Sequence, residues 1–477
     1  MHPNQVSEIS NSAPTAEINF GYLWMIASIA AMGGLLFGYD WVVIGGAKPF
    51  YEACFHLVSP QQIGWANSCA LIGCFTGALA GGWIGNHFGR RNTLILSAFL
   101  FTASSLLTGW SHSFPTFIAW RIFGGVAIGL ASNISPLYIA EISPAQWRGR
   151  LVSLNQLSIV IGILGAQIVN WRIAQPVSPG ATMEAIASSW NAQFGWRWMF
   201  TAVAAPAVLF FLLALVIPES PRWLFMRRKE ELAVQILTRI GGARYAQTEA
   251  TNILESLSAT QLSGIRWTEV VAPGVRRLLL IGIVLVVLQQ WSGINVLFNY
   301  AQEIYRAAGY GLNDILFNIV ITGLINLVFT LIAIQLVDRW GRRSLMLFGC
   351  LGVGASHLLA AAAYKLGQHG SWVLLLTLCA IACYALSLAP VTWVLISEIF
   401  PNRIRGVAIS IAVAGLWIAS FLLTYTFPFL DGSFGTGNVF LLYALVCFAG
   451  AAFIYRYVPE TTQRSLEQIE ASQSQAQ

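Results

Sequence analysis

Residues 22–46 read YLWMIASIAAMGGLLFGYDWVVIGG, with Asp40 as the one charged side chain in the run. A stretch of this length and apolarity matches the twenty or so residues a helix needs to cross roughly 30 Å of hydrocarbon. The pattern recurs at 63–85, 92–111, 115–139, 153–171, 196–217, 278–300, 313–337, 344–365, 372–397, 405–428 and 438–457, twelve runs in all. Over 477 residues, 56% are hydrophobic and 10% charged, so lipid is the main solvent expected for this chain. The runs are too long and too uniformly apolar for barrel strands, and an unpaired backbone cannot cross lipid. An all-α membrane protein of twelve transmembrane helices follows.

Of the 26 Lys and Arg, Arg121 falls inside the fourth run. Only Lys48, Arg172, Arg197, Arg306 and Lys365 flank one side of the twelve, and the other 20 flank the opposite side. Basic residues collect on the cytoplasmic face, so both termini are expected there, in a multi-pass protein of the plasma (inner) membrane. That distribution also accounts for the basic balance of +6 without nucleic acid, because the charges are scattered over short loops rather than gathered on one surface. The first 19 residues are polar and lack Lys and Arg, which predicts a cytoplasmic tail rather than a cleaved signal. Seven cysteines, mostly within the runs, have neither metal-ligand spacing nor a disulfide framework, and no metal or cofactor is expected.

The hydrophilic stretch from Glu219 to Arg277 holds nine basic and six acidic residues and separates six runs from six. The organisation expected is an N-terminal tail (1–21), a six-helix bundle (22–218), a cytoplasmic linker with short amphipathic helices (219–277), a second six-helix bundle (278–458) and a C-terminal tail (459–477). The halves echo each other. Gly85-Asn-His-Phe-Gly89-Arg90-Arg91 after the second run returns as Val337-Asp-Arg-Trp-Gly341-Arg342-Arg343 after the eighth, 252 residues on. Glu141-Ile-Ser-Pro-Ala-Gln-Trp-Arg148-Gly149 returns as Glu398-Ile-Phe-Pro-Asn-Arg403-Ile-Arg405-Gly406, 257 residues on. Pro218-Glu219 returns more loosely as Pro459-Glu460. Two same-sense halves are a transporter architecture, with the substrate site between them near mid-membrane.

These residues resemble the sugar porters of the major facilitator superfamily, which include bacterial xylose/proton symporters and animal glucose facilitators. The resemblance covers nearly the whole chain. It rests on Gly33-Gly-Leu-Leu-Phe-Gly-Tyr39-Asp40, Arg121-Ile-Phe-Gly-Gly125, both Gly-Arg-Arg loops, Pro218-Glu-Ser-Pro-Arg222, Gln289-Gln290-Trp-Ser-Gly293-Ile-Asn295 and Pro459-Glu-Thr. Asn86 stands where the superfamily often has Asp, and the Lys-Gly that usually follows the last motif is missing.

The resemblance implies a monosaccharide transporter working by alternating access, with a proton as coupling ion. Asp40 and Arg121 are charges inside apolar runs that need each other, and both depths fall in the outer third of their spans. Proton-coupled members carry this acid and base, which predicts symport. A static structural ion pair is the plainer reading.

A site for a small, neutral, hydroxylated sugar needs amides that both donate and accept, and an aromatic face for the C–H side. Gln156, Gln289, Gln290, Asn295, Asn326 and Trp393 match family sugar-contact positions, with Asn299, Tyr384 and Trp417 nearby. On an unbroken helix Gln289 and Asn295 would point about 240° apart, so unwinding at Gly293 is expected. Each amide could instead be interhelical glue. Ile163 stands where xylose members have a second glutamine and glucose facilitators an isoleucine, and Leu416 also replaces an amide. A hexose such as D-glucose is therefore favoured over a pentose such as D-xylose.

On the cytoplasmic face Glu141, Arg148, Arg90, Arg91, Glu398, Arg403, Arg405, Arg342 and Arg343 are expected to form a gate where the halves close. A monomer is expected. The rivals are a passive facilitator with the same fold and a membrane sugar sensor; no nucleophile and base pairing or phosphate-cradling loop suggests an enzyme.

Overall fold

The computed structural model describes residues 18–178, 182–261, 273–367, 370–400 and 405–460. Every regular element among them is helical, and twelve helices are long and apolar enough to cross a membrane. In order they are Phe20–Cys54, Pro60–Phe88, Arg90–Gly109, Phe114–Ile142, Arg148–Ile173, Asn191–Ala214, Val275–Asn299, Leu312–Val337, Arg342–Lys365, Ser371–Ile396, Val407–Phe434 and Thr436–Tyr457.

The first span runs past the expected end at residue 46 to Cys54, through Lys48, Pro49 and Glu52. A proline and two charges read as loop in the sequence. Here Lys48 and Glu52 are an i,i+4 pair inside the bundle, and both are buried. Asp40 consequently lies about 30 Å from one end of its helix and about 21 Å from the other at 1.5 Å per residue, nearer the middle than the outer third predicted for it. Three other spans are interrupted, the sixth opening with a π-helical turn at Asn191–Gly195 and breaking again at Ala202 and Val203. The seventh breaks at Ser292 and at Gly293, which takes φ +86°, and the tenth breaks at Ser387.

Packing repeats between the halves. The first span lies against the fifth, and the seventh against the eleventh; the second lies against the fourth, and the eighth against the tenth. The broadest contacts between the halves are the second span on the eleventh and the fifth on the eighth, which the repeat exchanges for one another, and the first span also touches the seventh. Between the first and fifth spans the backbones approach so closely that a Cβ on Gly38 would run into the Ile159 carbonyl, and one on Gly162 into that of Leu35. Small residues at helix contacts are the usual route to such approach in lipid.

Between the halves Pro221–Met226 and Glu230–Gln261 form helices, the second bent at Gly241 and Gly242. Trp223, Leu224, Phe225, Leu237 and Ile253 make a separate small core there. Trp223 Nε1 and Arg227 both donate to the Asn86 carbonyl, tying this layer to the end of the second span.

Gly38→Val is expected to destabilise the protein by about 1–3 kcal/mol, because the obstacle is a backbone carbonyl that cannot rotate away. A thermal melt in detergent checks this, and Gly82→Ala, whose Cβ would enter open space, is expected not to lower the transition.

Candidate functional site

Asp40 comes from the first span and Arg121 from the fourth, and the two meet inside the N-terminal half. Arg121 Nη1 lies 3.0 Å from both Asp40 Oδ1 and Oδ2, and each residue is 3% exposed. The Phe200 ring of the sixth span sits 5.3 Å from the guanidinium. An isolated charge at such a depth would cost several kcal/mol, and the pair offsets much of that. Losing the charge on one partner would leave the other buried without compensation.

Beside the pair is a small cavity lined by Arg121, Trp41, Asn67 and Asn299, with apolar walls from Ala70, Leu71, Cys74 and Ile128. Arg121 Nε, Asn67 Oδ1 and Asn299 Oδ1 are all buried with no hydrogen-bond partner among the described residues. The charge pair of one half therefore borders the same space as an amide from the seventh span of the other half.

The break in the seventh span brings its amides together. Asn295 Nδ2 donates to Gln290 Oε1 across the turn at Gly293. Gln289 points elsewhere: its Nε2 donates to the carbonyls of Leu388 at 3.0 Å and Ala389 at 3.3 Å, just past the break in the tenth span. That is interhelical glue, but Gln289 Oε1 is left buried and unpartnered. Gln156 is half-buried on the fifth span with no hydrogen bond among the described residues, and Ile163 lies buried on the same span. Asn326 is buried on the eighth span, Tyr384 half-buried on the tenth, and Trp393 is 39% exposed. Trp417 is buried within 6.0 Å, centroid to centroid, of both Phe37 and Trp41, so this aromatic cluster crosses between the halves.

Two cross-half contacts were not found in the sequence. Lys48, fully buried, pairs with Glu303 beyond the seventh span and lies over the Tyr300 ring at 4.1 Å, while Tyr300 donates its hydroxyl to the Thr424 carbonyl at 2.6 Å. Gln167 Nε2 is 3.4 Å from Thr322 Oγ1 on the eighth span, and its Oε1 has no partner. Gln167 is one turn past Ile163 and eleven residues past Gln156, so the three share a face; that spacing was the available signal. With Asn313 exchanging bonds with the backbone of Val177, these contacts close the halves together at the Lys48 end.

At the opposite end the bonds described for the expected gate charges lie within each half. Arg90 Nε and Nη2 hold Glu141 at 3.0 Å each, within the N-terminal half, and Arg342 Nη2 lies 3.4 Å from Glu398 within the C-terminal half. Glu219 accepts from the backbone amides of Arg90 at 2.8 Å and Arg91 at 3.1 Å, and Glu460 accepts from those of Arg342 and Arg343 at 3.0 and 3.2 Å. A carboxylate at the start of the third and ninth spans complements the helix dipole. Burial raises the pKa of the Glu219 carboxyl, against the opposing pull of those amides. Arg91 and Arg343 donate to carbonyls of Leu215 and Tyr455. Arg148 folds back on the Ala140 carbonyl at 3.1 Å. Arg403 and the side chain of Arg405 lie outside the described residues.

Comparison with known proteins agrees with this geometry. The family described as "Sugar (and other) transporter" matches residues 26–472. The D-xylose-proton symporter of Escherichia coli (strain K12) is 38% identical over 488 residues, covering 95% of this chain and 96% of that protein. The glucose transport protein of Synechocystis is 37% identical, covering 96% and 99%. A partially occluded inward open conformation of the xylose transporter XylE from E. coli superposes with a TM-score of 0.82 at 36% identity, over 93% of this chain and 100% of that one. With the motifs, the twelve spans and the two-half packing all in agreement, the chain belongs to the sugar porter family of the major facilitator superfamily.

Proposed function

We propose that this protein moves a monosaccharide across the plasma membrane by alternating access, as a monomer, with one proton carried on Asp40 coupling to sugar movement. The observation that carries the reading is the buried Asp40 and Arg121 pair beside a cavity that also exposes Asn299 of the opposite half. Ionised Asp40 holds Arg121 by charge. A proton on Asp40 removes that attraction and releases Arg121 towards the buried acceptor oxygens of Asn67 and Asn299, groups whose positions depend on how the halves meet. The protonation state of one half thereby biases the packing of both, which is the differential interaction that coupling requires.

With the basic end taken as cytoplasmic, the Lys48 end faces outward and is shut, so this is an inward-facing state. The likeness to an inward open relative supports that assignment. Return to the outward-facing state breaks the Lys48–Glu303 contact and draws Glu141, Arg148, Glu398, Arg403 and Arg405 together with the Gly-Arg-Arg loops as an inner gate. Sugar hydroxyls bind Gln156, Gln290, Asn295 and Asn326, with Gln289 Oε1 as a further acceptor and Trp393 as the apolar face. Ile163 in place of a glutamine favours D-glucose over D-xylose; relatives named for each sugar support both as substrates to test.

The test is uptake of radiolabelled glucose and xylose by proteoliposomes with and without an inward proton gradient. Gradient-driven accumulation is expected, lost in Asp40→Asn with equilibration retained; equal equilibrating uptake in both proteins would make this a passive facilitator. Gln156→Ala and Asn295→Ala are each expected to raise KM about five- to tenfold with little change in Vmax, the scale of one lost hydrogen bond, measured in the same assay. Lys48→Met leaves the buried Glu52 and the partly buried Glu303 without their cation, so outward opening should become easier. In a cysteine-free background, a cysteine replacing Asn67 is then expected to react several-fold faster with an impermeant maleimide applied from outside.

A further inference from the structure

The turn that assembles the seventh-span amides leaves the Ser292 carbonyl outside the helical ladder. Ser292 N still donates to the Leu288 carbonyl at 2.9 Å, but when the helix resumes, Val296 N and Leu297 N both bond the Gly293 carbonyl, at 3.1 and 3.2 Å. In a continuous helix Val296 N would have gone to the Ser292 carbonyl. That carbonyl is buried, and a buried main-chain acceptor without a donor is costly in a region without water.

The donor is a histidine. His357 of the ninth span, 1% exposed, sets Nε2 2.8 Å from the Ser292 carbonyl oxygen. A carbonyl only accepts, so the imidazole presents Nε2–H to it. The ring is held by Phe440 and Tyr443 of the twelfth span, at 5.2 and 6.1 Å between centroids, and Cys447 Sγ lies 3.8 Å from the same carbonyl. Gly293 fits above it for want of a side chain: a Cβ there would stand 3.1 Å from His357 Nε2 and 2.7 Å from the Tyr443 ring. Ser292 Oγ turns back to the Gln289 carbonyl at 2.8 Å, so the pinned residue also touches the start of the amide cluster.

We propose that His357 is a positioning residue for the substrate site: its Nε2–H holds the Ser292 carbonyl out of the helix and thereby fixes the rotation between Gln290 and Asn295. Touching no sugar itself, it acts through the backbone. The inference rests on the sugar-binding reading of those amides.

The variants are His357→Phe, which keeps a ring and removes the donor, and His357→Gln, which keeps an N–H at similar reach. The readouts are KM and Vmax for the better of glucose and xylose, and hydrogen exchange over residues 289–300 in the same preparations. His357→Phe is expected to raise KM about tenfold, to leave Vmax nearly unchanged and to speed exchange, while His357→Gln stays close to wild type in both. Wild-type KM and exchange in His357→Phe would overturn the inference. So would equal damage in the two variants, which would mean that the ring's packing matters and its hydrogen bond does not. Should His357→Phe fail to fold, His357→Leu is read in the same way. If wild type takes up neither sugar, the transport reading has failed, and the exchange comparison decides the role of His357 alone: faster exchange in His357→Phe only supports it, and equal exchange overturns it.

Discussion

Backbone and side-chain polar groups inside a membrane bundle have no water to fall back on, so each must find a partner in the protein. That constraint organises this molecule. Continuous helices satisfy it locally, and the departures from helix are where other spans have to intervene. At Ser292 the donor comes from His357 of the ninth span, and just past Ser387 the Leu388 and Ala389 carbonyls are met by Gln289 of the seventh. Each interruption is thus a point at which one helix reads the position of another. The three helices involved all belong to the C-terminal half.

The N-terminal half meets the same constraint with a buried charge pair. Asp40 and Arg121 neutralise each other on helices that also pack glycine against main chain, as Gly38 does against Ile159. One half thus holds a buried charge pair on closely packed helices, and the other holds amides beside interrupted helices. The cavity bounded by Arg121 and Asn299 is one place where the two halves share a boundary. A pair that lost its charge balance would therefore be felt by the half that binds substrate.

At the basic end the duplication is visible in atoms. Arg90 with Glu141 and Glu219 has its counterpart in Arg342 with Glu398 and Glu460, including the carboxylate on the first two backbone amides of the following span. The loose echo of Pro218-Glu219 in Pro459-Glu460 thus marks a shared capping role, which the sequence spacing alone did not reveal. Each cluster ties together elements of its own half. The cross-half contacts gather instead at the end holding Lys48, Glu303, Gln167 and Thr322.

The all-helical class, the count of twelve spans and the two-half repeat follow from hydropathy and motif spacing, because lipid permits so few ways to bury a backbone. The partnership of Asp40 with Arg121 was also legible, since lone charges in apolar runs demand each other. Turning at Gly293 could be argued from the 240° between Gln289 and Asn295 on an unbroken helix. Other features depended on which helices became neighbours. Lys48 and Glu52 looked like loop until Glu303 supplied a counter-charge to the buried Lys48, which carried the first helix to Cys54. Gln289 was spent on the tenth span, Gln167 on the eighth, and His357 on a carbonyl 65 residues away, as tertiary contacts that no local pattern encodes. Which polar groups meet across the halves was likewise decided by the tertiary arrangement, because contacts between helices far apart in sequence leave no local pattern.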